Sequence, residues 1–136
     1  MSIIINNDRL EVEIADPGTV YRRPRFDWTG FIIQVTLDGK HTFCIPESLK
    51  EGDGTGGIGL CNEFGIFEAI GYDETKPGEQ FPKIGVGLLT RPDNEEYGFY
   101  KPHEIKPFDI KVEYGKDLVK FTVSPKECMG YAVRLE

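Results

Sequence analysis

Apolar residues in this chain alternate over short spans instead of recurring at helical spacing. Runs rich in Ile, Val, Phe and Tyr are broken by sixteen glycines and nine prolines. That pattern predicts strands throughout the 136 residues. Residues 3–5 and 10–14 read as two strands joined by the turn Asn6-Asn7-Asp8. Residues 31–45 read as a hairpin turning at Asp38-Gly39, a type I′ pair that needs positive φ at both positions. That turn pairs Leu37 with Lys40, Thr36 with His41, Gln34 with Phe43 and Ile32 with Ile45. Both faces of this hairpin carry apolar residues, as in the interior of a large sheet.

Residues 84–89 read as a strand whose glycines, Gly85 and Gly87, leave one face open to close approach. A second hairpin, residues 108–123, is predicted to turn at Gly115-Lys116, pairing Val112 with Val119, Ile110 with Phe121 and Phe108 with Val123. This register sets Lys111 opposite Lys120, at some cost. Residues 130–136 alternate as a last strand, and residues 62–70 could hold a helical turn or two. The fold expected is all-β, an antiparallel sandwich, in one domain over residues 1–136.

Composition narrows the partners. The formal net charge is −7, unfavourable for phosphate backbones, so nucleic acid is not expected. No apolar stretch approaches the length of a membrane span, and no leader-like N-terminus is visible. Cys44, Cys61 and Cys128 form no CxxC pair, which disfavours a disulfide framework or a zinc site and fits reduced thiols in the cytoplasm. No metal and no cofactor is implied.

The chemistry concentrates in residues 21–30, Tyr-Arg-Arg-Pro-Arg-Phe-Asp-Trp-Thr-Gly. Arg and Asp can hydrogen-bond hydroxyl groups, and an aromatic face can stack on the C–H face of a sugar ring. Arg25, Asp27 and Trp28 are therefore the candidate ligand-binding residues, and carbohydrate is the candidate partner. The plain alternative is an Arg–Asp surface pair beside a buried Trp. If the segment is extended, Arg25 and Asp27 face one side, Phe26 and Trp28 the other. For proton transfer the candidates are His41, beside Gln34 and Thr36, and Glu63, beside an apolar run where a carboxyl pKa can rise. The five glycines within residues 52–59 could form a mobile cover or a simple connection.

Several motifs in order carry a resemblance: Arg25-Phe26-Asp27-Trp28-Thr29-Gly30, Gly39-Lys40-His41-Thr42-Phe43, Asn62-Glu63-Phe64-Gly65-Ile66 and Phe81-Pro82-Lys83-Ile84-Gly85-Val86-Gly87. Together they resemble the N-terminal half of proteins in the galactose mutarotase-like (aldose 1-epimerase) superfamily. The resemblance implies a larger β-sandwich, of which this chain is one half, and a sugar on a concave sheet face. It implies sugar epimerisation in which a glutamate and a histidine exchange protons with the sugar, the glutamate lying in the family's C-terminal part. Sheet edges left open by that missing half would favour a homo-oligomer. A carbohydrate-binding module without catalysis and a structural or oligomerisation domain are the alternatives.

Overall fold

The computed structural model describes residues 2–50 and 54–136. Every regular element among them is a strand, and every pairing is antiparallel. The first sheet runs in chain order: β1 (Ser2–Asn6), β2 (Leu10–Ala15), β3 (Ile32–Leu37) and β4 (His41–Thr42). The second joins β5 (Gln80–Lys83), β6 (Gly87–Thr90) and β7 (Ile105–Pro107). The third is the hairpin β8 (Ile110–Tyr114) and β9 (Val119–Val123). No helix among the described residues is long and apolar enough to cross a membrane.

The middle sheet is the one buried on both faces. Neighbouring residues of a strand point to opposite faces. Leu89 joins a core containing Ala15, Phe31, Phe81 and Val86, against which Ile33 of the first sheet packs. Leu88, next along β6, joins a second core with Phe108 and Val123 of the third-sheet region. The expectation of a doubly apolar interior strand thus applies to β6, whereas β3 is half-buried along its length.

Local turns follow the sequence more closely than strand registers do. Asp38 and Gly39 have φ of 51° and 65°, as a type I′ pair requires, and Lys40 N–H donates to the Leu37 carbonyl at 3.0 Å. Pairing nevertheless begins one residue later than expected, at Leu37 with His41, and stops after Thr36 with Thr42. The Gln34 side chain explains the short return. Its Oε1 accepts from the Phe43 and Cys44 N–H groups and its Nε2 donates to the Cys44 carbonyl, so past the Phe43 N–H bond to Val35 O at 3.1 Å a side chain replaces the ladder.

The third sheet is offset by two residues from the expected register, pairing Ile110 with Val123, Val112 with Phe121 and Tyr114 with Val119. An offset of two keeps every side chain on its predicted face. It also places Glu113, not Lys111, opposite Lys120. Like charges are thereby separated, and Lys111 pairs with Glu113 at 3.0 Å.

Three expected elements take other forms. Residues 84–86 are a turn between β5 and β6, with Gly85 at φ 78°. Residues 62–70 contain no helix: Gly65 has φ 66°, and the carbonyls of Phe64 and Gly65 are both taken by the Lys83 ammonium. Residues 130–136 form only isolated bridges, Cys128 with Tyr131 and Val123 with Leu135, because Met129 and Gly130 both adopt positive φ and close a tight turn.

Candidate functional site

Residues 21–31 pack into the first core without being a strand, so the alternation expected for an extended segment does not apply. Phe26, Asp27 and Trp28 are all buried in succession. The Trp28 indole N–H donates to the Arg23 carbonyl at 2.9 Å, and its backbone N–H to Gly85 O at 2.9 Å. Asp27 is 1 % exposed. Its carboxylate accepts from the Thr29 N–H and hydroxyl, both at 2.8 Å, and from Asn62 at 3.4 Å. Burial pushes the Asp27 carboxyl pKa up, and the Thr29 bonds oppose that shift. Asp27 borders a cleft of about 360 Å³ with Thr29, Asn62 and Phe121.

Arg25 turns the other way. Its guanidinium makes a two-pronged pair with Glu63, at 2.6 and 3.2 Å, and donates to Thr55 Oγ1 at 2.7 Å. It lies 4.2 Å from the Phe99 ring centroid and 4.6 Å from that of Phe26. Both ionised side chains are less than one-fifth exposed, 17 % and 18 %. The pair is therefore fixed in orientation, as a bidentate guanidinium–carboxylate contact favours.

Arg25 lines a cleft of about 460 Å³ between residues 21–25 and 99–105. One wall carries Tyr21, Arg22 and Arg23; the other carries Phe99, Tyr100, Lys101 and His103. Gly54 and Thr55, at the end of the glycine-rich stretch, complete it. Glu47 anchors that stretch by accepting from Thr55 N, Thr55 Oγ1 and Gly57 N, bonds that hold its carboxyl pKa below the ordinary value. The part of the stretch at residues 51–53, including Gly52, lies outside the described residues. A second cleft of about 610 Å³ shares Tyr21, Arg22 and Arg23 with the first, so the two arginines form the ridge between them.

Within electrostatic reach of the Arg25–Glu63 pair sits a buried polar group that sequence reasoning missed. Lys83 is 2 % exposed, and its ammonium donates to the Gly65 carbonyl at 3.0 Å and to that of Phe64. Burial lowers its pKa to about 8, with Glu63 opposing and Arg25 adding to the shift. Tyr97 lies nearby, its ring centroid 5.4 Å from Lys83 Nζ, and burial pushes its phenol to about 12. The one available signal was a lysine inside the apolar run Phe81-Pro82-Lys83-Ile84.

Of the five residues singled out by sequence, Arg25 and Glu63 are brought together, and of these two Arg25 lines the first cleft. His41 is exposed on the two-residue β4 and outside that cleft. His103 does line it; its Nδ1 lies 3.2 Å from the Thr90 carbonyl, and its Nε2 is buried without a hydrogen-bond partner among the described residues. Among the described residues no group of three His, Cys, Asp or Glu side chains could hold a metal ion. All three cysteines are free and half-buried.

Comparison of the chain with known protein families, curated proteins and solved structures finds no match. The likeness to mutarotases accordingly rests on the sequence motifs alone.

Proposed function

We propose that the protein binds carbohydrate in the cleft between residues 21–25 and 99–105, without catalysing a reaction on it. The observation that carries this reading is Arg25, clamped by Glu63 and lying against Phe99 at the cleft wall. Three of the five guanidinium N–H groups are used internally, which leaves two for ligand hydroxyls. The Tyr100 ring, 72 % exposed, supplies a flat apolar face at the same site. Fixed donors beside an exposed ring suit a pyranose, which offers hydroxyls at its rim and C–H groups on its face.

Epimerisation would need a carboxylate and an imidazole across one sugar carbon. Glu63 is occupied by Arg25, and His41 lies elsewhere. Those placements favour binding over catalysis for these residues. Membership of a larger mutarotase-like sandwich and a cytoplasmic setting belong to the same proposal; free thiols fit the latter.

Calorimetric titration with a panel of mono- and oligosaccharides tests the reading. Tyr100→Ala should weaken the best ligand about two- to tenfold. Its melting temperature should stay that of the parent, because the ring is largely exposed. Unchanged affinity in this variant would contradict the proposed platform.

A second copy of the chain is the proposed partner at the first sheet's far edge. There β4 is only two residues long, while Phe43 and Ile45 are 63 % and 73 % exposed and Leu60 is 58 % exposed. Clustered exposed apolar side chains favour self-association through this surface. Light scattering after size exclusion should give a dimer or larger mass, reduced to a monomer by Phe43→Lys with Ile45→Lys. A monomeric parent protein would rule this out.

A further inference from the structure

The two clefts meet at Arg22 and Arg23, a ridge whose charges have no paired carboxylate among the described residues. Arg22 uses Nε to donate to the Gly18 carbonyl at 2.7 Å. Arg23 uses one terminal nitrogen to donate to Gly54 O at 3.2 Å. Neither guanidinium meets a carboxylate among the described residues. The other charges at the first cleft are matched: Arg25 by Glu63, Lys101 by Asp93 at 3.2 Å. Glu47, the acidic residue of the second cleft, is turned onto the backbone of residues 55 and 57. In a chain of net charge −7, two adjacent exposed arginines with no paired carboxylate among the described residues are a local exception. Among the described residues the first cleft is lined by cationic but no carboxylate side chains, and a concave surface of one sign concentrates the opposite charge.

We infer that the saccharide taken by this site is anionic, with a carboxylate or sulfate group placed on the Arg22–Arg23 ridge while the sugar ring lies against Tyr100. This rests on the carbohydrate-binding reading above and specifies its ligand class. The backbone bonds of both arginines leave planar N–H pairs free, and a planar N–H pair matches the two oxygens of a carboxylate or sulfate. The adjoining second cleft gives room for an oligomer to continue past the ridge.

The test compares α-1,4-linked trigalacturonate with neutral galactotriose, with sodium sulfate as the sugar-free anion. The parent protein should bind trigalacturonate at least about tenfold more tightly, and raising salt from about 20 to about 200 mM should erode most of that preference. Arg22→Gln with Arg23→Gln should bring the two trisaccharides to equal affinity, at the parent's melting temperature, because both side chains are exposed. Equal affinity for the two trisaccharides would overturn the inference and leave the carbohydrate reading standing. Sulfate competing as strongly as trigalacturonate would also overturn it, since the site would then read charge alone. Binding of neither trisaccharide would overturn both.

Discussion

Gly85→Ala is expected to destabilise the protein by about 2–5 kcal/mol, combining a left-handed backbone cost with overpacking of a buried site. Gly85 sits in the turn between β5 and β6 at φ 78°. A Cβ there would lie 2.4 Å from Asp27 Oδ1 and 2.6 Å from Asp27 Cγ. Asp27 is short and held by Thr29, so it has little freedom to move. The Gly85 carbonyl also anchors Trp28 N–H, so displacement of the turn would disturb the whole segment that presents Arg25. Gly39→Ala is the control. Gly39 also has positive φ, 65°, but nothing lies within 4 Å of its would-be Cβ. It should cost about 1–2 kcal/mol, the backbone term alone. Equal losses in denaturant titrations of the two variants would contradict the Asp27–Gly85 contact.

Lys83 should give the protein a pH-dependent stability that Lys83→Met lacks. Burial lowers the folded-state pKa to about 8, whereas the unfolded side chain keeps the ordinary value of 10.5. Between those values the unfolded chain binds more protons, so stability rises with pH through that window. The gain amounts to roughly 3 kcal/mol over the full window. Below pH 8 the buried ammonium carries its whole desolvation cost. Groups common to both proteins cancel to first order in the difference. Stability of the parent relative to Lys83→Met should therefore increase from pH 8 to pH 10. Parallel pH profiles would show that Lys83 is not buried as a charged group.

These two residues also mark where sequence reading succeeds and where it stops. Asp38-Gly39 was legible because positive φ at two successive positions is a local demand that few residue pairs meet. The register beyond it was not, because the long-range capture of residues 43 and 44 by Gln34 leaves no local trace. In the third sheet the Lys111–Lys120 opposition was itself the clue against the expected register. The structure resolves it with a longer loop at residues 115–118, closed by a Gly115 N–H bond to Leu118 O at 2.8 Å. Gly85 and Gly87 both meet close neighbours, but not on one strand face as expected: Gly85 lies in the turn, and Gly87 meets the Lys106 carbonyl, with a would-be Cβ only 2.3 Å away. That the turn at 84–86 would also clasp Asp27 is a tertiary fact with no pattern behind it.

The candidate site was legible in composition more than in geometry. Residues 21–25 do form one wall of the cleft, with Arg22, Arg23 and Arg25 lining it, but Asp27 and Trp28 are buried and do not. Phe99, Tyr100 and His103 on the opposite wall come from a segment with no strand period and no motif. Only folding brings them to the arginines.

Backbone amide shifts in a ¹H–¹⁵N spectrum, followed during saccharide titration, test the central claim most directly. Saturable changes should cluster at residues 21–25, 54–55 and 98–103, with those around β4 unmoved. Changes confined to the Asp27–Asn62–Phe121 cleft, or none at any saccharide concentration, would contradict it.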